Sequence, residues 1–190
     1  MIRENLKALF IVSNGNGLNS HYDALVKVKH FLCTKRSELK LIFEKFKITY
    51  FRPVEEEFIK EYVKVTRPLA DAIDVLQGDL DISIGFLLPT LTILLRKMEV
   101  LRNKPGIIHC QGIVSCIIDA VKRRFASCFN DKELHVAAIL VPKFKLLWIP
   151  ESDRQEIKSY IVSIYDTFKI NDVEENSDRY VYFFHKNRIS

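Results

Sequence analysis

The sequence predicts a mainly α-helical, multi-helix domain, with short strands confined to the two ends of the chain. Three observations lead there. Apolar residues recur at spacings of three and four along successive segments, the period that gives a helix one buried face. Helix start and stop residues bracket several of these stripes. The 190 residues are 48% hydrophobic, enough to fill the core of one domain of ordinary size. Three regions are expected: a short arm or strand over 1–17, a helical domain over 18–170, and a polar, then β-prone tail over 171–190.

Residues 1–17 hold an apolar run, Leu9-Phe10-Ile11-Val12, before the turn-forming Ser13-Asn14-Gly15-Asn16-Gly17. Ser20 and Asp23 have the spacing of a capping box, and Tyr22, Leu25, Val28 and Leu32 follow at helical intervals, so a first helix is expected to begin at Ser20. After Lys35-Arg36, the residues Leu39, Ile42, Phe43 and Phe46 predict a second, short helix before the β-favouring Ile48-Thr49-Tyr50-Phe51.

Pro53 suits a first helical turn, and Glu55, Glu56 and Glu57 suit the positive end of its dipole. Phe58, Tyr62, Val65, Leu69, Ile73 and Leu76 then form one stripe that stops at Gly78, with a kink or break expected near Val65 because Pro68 lacks a backbone donor. Leu87, Leu91, Leu94, Met98 and Leu101 form the next stripe. Leu88 and Leu95 widen it enough to suggest packing on two sides, and Pro105-Gly106 closes it. Cys110, Val114, Ile117, Val121 and Phe125 make another stripe, and Leu134 to Val141 is a short apolar run stopped by Pro142. Ser152 and Gln155 form a second capping box ahead of Ile157, Ile161, Ile164 and Phe168. Residues 171–178 are acidic and polar, and Tyr180-Val181-Tyr182-Phe183-Phe184 favours β structure. No repeat of fixed period is evident, although successive amphipathic helices also suit a helical-repeat scaffold.

The net charge of +5 is divided into blocks: eight Lys/Arg against three Asp/Glu over 23–52, three against eight over 53–83, and seven against two over 84–130. Such blocks either hold a polyanion at one place and a basic partner at another, or are solvated faces that neutralise one another. There is no uninterrupted apolar run of membrane length and no basic, apolar leader, so the chain is expected inside the cell and away from membranes.

The chemistry of catalysis finds little support. Cys33, Cys110, Cys116 and Cys128 lack the spacing of a zinc chelate and read as reduced core thiols, and His109, Cys110 and Cys116 stand without a second ligand pair. The glycines are too scattered to cradle a phosphate. Asp71, Asp74, Asp79 and Asp81 either bind metal or, as grouped carboxylates at one helix end usually do, lie on the surface. His135 reads as a half-buried helix histidine rather than a catalytic one, and Trp148 as a packing indole rather than a platform for a flipped base. No cofactor, metal or catalytic residue is assigned.

Two stretches together resemble the hAT transposase superfamily and the BED-finger proteins derived from it. Glu61 to Gly78, through Thr66 and on to Leu88-Pro89, is similar to the family's helix, its turn and the proline-marked helix that follows. Arg124-Phe125 and Ala137-Ala138-Ile139-Leu140-Val141-Pro142-Lys143-Phe144-Lys145 resemble the family's Arg-Phe pair and its A-x-x-L-D-P-R-F-K signature, with Val141 and Lys143 in place of the aspartate and arginine. Asn19-Ser20-x-Tyr22-x-x-Leu25 is similar to a third segment, with Leu18 where a tryptophan is usual. The positions that carry the resemblance as structural markers are therefore Thr66, Gly78, Pro89, Arg124, Phe125, Pro142, Phe144 and Lys145.

Within this family an RNase H-like core with three metal-binding acids is interrupted by a helical insertion, and residues 18–150 resemble that insertion and its edges. The resemblance implies that the catalytic acids fall outside the matched stretch and that the chain is an inactive, truncated or domesticated transposase-derived protein of the nucleus; the cysteine and histidine pairs that the family's BED finger requires do not occur in this sequence. It implies DNA as a partner. The side chains suited to phosphate contact are Lys27, Lys29, Lys35, Arg36 and Lys40 in one cluster and Lys122, Arg123 and Arg124 in another. The alternatives are a helical module that binds protein partners or itself, and a fragment of a longer active transposase.

Overall fold

The computed structural model describes residues 17–78 and 83–167, and these are mainly helical, with no strand among them. In order, the elements are α1 (Gly17–Thr34), α2 (Arg36–Lys45), α3 (Pro53–Gln77), a 3-10 turn (Ile84–Phe86), α4 (Leu87–Arg102), α5 (Gln111–Arg124), α6 (Ala126–Asn130) and α7 (Lys132–Leu140). A last helix, α8, runs over 154–167. The strands expected at the two ends fall in 1–16 and 171–190, which with Phe168, Asp79 and Asp81 lie outside the described residues, while Gly17, expected in the arm, is the first residue of α1.

The central helix is α3. It packs against α1 on one side and α4 on the other, while α5 packs on α4 and α7 closes over the 3-10 turn and α4. Two faces of α3 are buried, where the sequence suggests one. Val65 and Ala72 join Leu91, Leu94 and Met98 of α4 and Val114, Ile118 and Val121 of α5 in the main core. Ile59, on another face, meets Phe31, Leu32 and Leu39 of α1 and α2. A third cluster sets Leu88 against Ala138, Trp148 and Ile149. Each such aliphatic side chain removed from water contributes about 1.5–3 kcal/mol to stability. Phe58, expected on the stripe, is 40% exposed.

Several local expectations change. α1 begins at Gly17, and Ser20 lies within its first turn rather than capping it. The side chain of Asn19 donates to the Asp74 carboxylate, which ties that first turn to α3. No break occurs near Val65: α3 is continuous over 25 residues through Pro68. The carbonyl that Pro68 leaves unpaired belongs to Lys64, an exposed residue where water can replace the missing donor. Gly78 ends α3 with φ −59°, so it stops the helix without the left-handed conformation expected of a C′ glycine. Residues 48–51 form an irregular connection rather than a strand, with Tyr50 and Phe51 packed on Phe43. At the start of α8 the Ser152 hydroxyl donates to Asp153, and the first helical bond runs from the Ile157 N–H to the Asp153 carbonyl, one residue beyond the expected cap.

The widened stripe of α4 is used on two sides, with Leu91, Leu94 and Met98 in the main core and Leu88 in the third cluster. In α5, Ile118 is buried more deeply than the stripe residue Ile117.

Candidate nucleic-acid interface

The first basic cluster lies on α1 and α2, two helices that pack together at the Thr34–Arg36 corner. Lys27 and Lys29 are half-buried on α1, whereas Lys35, Arg36 and Lys40 are exposed. Among the described residues neither Lys27 nor Lys29 makes an ion pair, and Lys35 reaches Glu38 at 3.7 Å. The Lys40 ammonium stands 5.4 Å from the centroid of the Tyr50 ring.

Arg36 differs from its neighbours. Its Nη2 donates to both oxygens of Glu56 at 2.5 Å, and Glu56 is only 4% exposed. These hydrogen bonds raise the guanidinium's pKa above its ordinary value. A buried carboxylate needs such a partner, because an unpaired charge loses its hydration with no compensation. Arg36 therefore locks α2 to α3, and its charge is already engaged.

The second cluster, Lys122, Arg123 and Arg124, occupies the last turn of α5, where cations complement the negative end of the helix dipole. Lys122 pairs with Glu99 at 3.3 Å, and Glu99 also holds Arg102 at 2.6 Å. Because α5 packs on α4 and α1 packs on α3, the two clusters belong to different parts of the helical stack.

Comparison with family models, with curated proteins and with solved structures finds no match to this chain. Several of the residues that carry the family resemblance make packing or hydrogen-bond contacts in this fold. Thr66 Oγ1 donates to the Tyr62 carbonyl at 2.7 Å within α3, and Pro89 is buried in the first turn of α4, where no helical partner is needed for its nitrogen. Arg124 is the last residue of α5, and Phe125 packs on the main core. Phe144 stands edge-on to Phe86 at 4.9 Å. Lys145 has φ +48°, and its carbonyl accepts the Trp148 indole N–H at 3.1 Å. Pro142 is exposed at the turn after α7.

Trp148 is 6% exposed and its ring lies 5.4 Å from that of His135, so the indole is a packing group and offers no open face to a base. His135 Nδ1 lies 2.7 Å from the Asp131 carbonyl. Cys110 is buried and Cys33 and Cys116 are exposed, with no group of three metal-binding side chains among the described residues. Asp71 faces Lys97 at 3.7 Å and Arg67 at 4.0 Å, the neutralised surface arrangement.

One polar arrangement has no counterpart in the sequence reading. The Glu61 carboxylate on α3 accepts the backbone N–H groups of Ile108, His109 and Cys110, at 3.0, 2.8 and 3.1 Å to Oε2. Burial pushes this carboxyl's pKa up, but the three hydrogen bonds and His109 outweigh it and hold the value below the ordinary one. Glu61 thus satisfies the entry to α5 from a residue 47 or more positions away, a separation that no local motif signals.

Proposed function

We propose that this chain is a helical domain of hAT-transposase type, with no nuclease chemistry of its own, that binds the DNA backbone through α1 and α2. The observation that carries the reading is the placement of Lys27 and Lys29 on α1, Lys40 on α2 and Lys35 at the corner between these two packed helices, with only Lys35 of the four in an ion pair among the described residues. Clustered cations of this kind hold phosphates without reading bases, and binding is driven by release of counterions. The transposase descent rests on the motif resemblance over Ala137–Lys145, and nuclear residence follows from that descent.

Fluorescence anisotropy with labelled duplex DNA tests the reading. Affinity should fall steeply with salt, by a logarithmic slope of about 0.9 per phosphate neutralised. Replacing Lys27, Lys29 and Lys40 with Glu should flatten that slope. No salt-dependent binding at low ionic strength would end the proposal. Supercoiled DNA incubated with the protein and Mg²⁺ or Mn²⁺ should stay intact, and nicking would overturn the inert assignment.

A second reading, self-association of a helical module, draws on a groove of about 610 Å³ between α4 and residues 148–157. Val100 on its wall is 69% exposed, and Leu95, Phe129 and Ile157 add apolar surface. Under that reading the mass by light scattering rises with concentration, and Val100→Glu abolishes the rise.

A further inference from the structure

The connection between α2 and α3 carries a surface that phosphate binding alone leaves unused. Leu41, Phe46 and Ile48 are 64%, 49% and 59% exposed, close together in the chain. Lys40, Lys45, Lys47 and Arg52 alternate with them, against Glu44 alone of the acids over 40–52. Large apolar side chains gathered in water mark a contact surface more often than scattered ones do.

The backbone fixes how this surface is presented. The N–H groups of Lys47 and Ile48 donate to the carbonyls of Glu44 and Phe43 at 3.0 and 2.9 Å, which closes α2 in a Schellman turn. Lys47 occupies its left-handed position, φ +53°, where glycine is the unstrained choice. Beneath it, Phe43 meets Tyr50 and Phe51 with ring centroids 5.3 and 5.1 Å apart. The turn therefore rests on a packed aromatic base, with Phe46 and Ile48 outside it. Neither Lys45 nor Lys47 makes an ion pair among the described residues, whereas Arg52 is engaged by Glu55 at 2.8 Å.

We propose that Phe46, supported by Ile48, is a wedge that enters the base stack of DNA whose pairing is already broken, while Lys45 and Lys47 contact the flanking phosphates. This rests on the DNA-binding reading above and names the form of DNA preferred. Apolar side chains that enter a base step must first unstack it, and an unpaired region spares that cost. Lys40 lies on α2 and Lys35 at its start, so further cations stand on the helix that ends in this turn. The apolar tip occupies one turn, in contrast to the long amphipathic face by which a helix lies in a lipid surface.

The test compares three DNA probes by anisotropy: a perfect duplex, the same duplex with a central mismatch bubble, and one of its single strands. Vesicles of phosphatidylserine and phosphatidylcholine are sedimented with the protein in parallel. The bubble should bind about tenfold tighter than the duplex. Phe46→Ala should erase that preference and leave duplex affinity within about twofold, with Ile48→Ala a milder version of the same change. Equal affinity for bubble and duplex, unaltered by either variant, overturns the wedge and leaves the DNA-binding reading standing. No binding to any DNA overturns both. Sedimentation with vesicles that depends on Phe46, without bubble preference, assigns the surface to lipid and overturns the wedge.

Discussion

Glu61 shows how one side chain governs a distant helix entry. Three backbone N–H groups at Ile108, His109 and Cys110 converge on its carboxylate, which sits where the positive end of the α5 dipole begins. Charged acceptors strengthen such hydrogen bonds, so Glu61→Gln should cost about 1–2 kcal/mol, read as a lower midpoint in urea. The pH dependence has a definite sign. A carboxyl with a depressed folded pKa contributes stability in full above its unfolded value, about 4.3, and loses it as pH falls through the lower folded value. The stability curves of the parent and Glu61→Gln should therefore converge below about pH 4 and separate above it. Parallel curves over the whole range would show that the clasp carries no linked proton. Arg36 teaches a related lesson at the same scale: its loss would expose the buried Glu56 charge, so reduced DNA binding by an Arg36 variant reports folding as much as contact.

Among the elements, the docking of the 3-10 turn onto α7 admits the least change. A Cβ built on Gly85 would meet the Ala137 carbonyl oxygen at 2.4 Å and Val141 Cγ2 at 2.7 Å. Backbone atoms of a packed helix cannot retreat that far, so Gly85→Ala should destabilise by about 1–3 kcal/mol or more. Gly112, with nothing near its Cβ position, makes the control: alanine there should be neutral or slightly stabilising by thermal melting. A Gly85→Ala variant as stable as the parent would mean that the two elements are not in this contact. The Gly85 constraint was invisible in the sequence, because it joins segments about fifty residues apart. What could be read was local: the Pro53 start, the stops at Gly78 and Pro105-Gly106, and the stripes Leu91-Leu94-Met98 and Val114-Val121. The second buried face of α3 escaped because Glu56, Ile59 and Val63 interleave polar and apolar positions, and the Arg36 ion pair is what permits an acid there. The cap of α7 was legible and missed: Asp131 accepts from the N–H groups of Glu133 and Leu134, and Asn130-Asp131-Lys132-Glu133 ahead of an apolar run carries that signal. The basic residues of the candidate interface were readable by type. Which of them already had partners was not, since Glu56 and Glu99 reach Arg36 and Lys122 across the fold.

At the scale of the whole molecule, α3 joins two cores that share little else. Ile59 near its start belongs with Phe31, Leu32 and Leu39, and Val65 and Ala72 belong with α4 and α5. The smaller core holds α1 and α2 and with them most of the first basic cluster, so its stability decides whether that surface exists. Leu39 is 1% exposed in this core, and Leu39→Ala should cost about 2–5 kcal/mol locally through lost burial and the cavity left behind. Proteins open in cooperative units whose free energies differ, so the loss should fall mainly on α1, α2 and the first turns of α3. Amide hydrogen exchange is the measurement. Protection should drop over 19–50 while the amides of α4 and α5 keep theirs, and the DNA affinity proposed for α1 and α2 should fall in parallel although none of their lysines has been changed. A uniform loss of protection across all helices would instead make the two cores one cooperative unit. The basic surface would then be no more labile than the core of α3, α4 and α5, and its loss would report global unfolding alone.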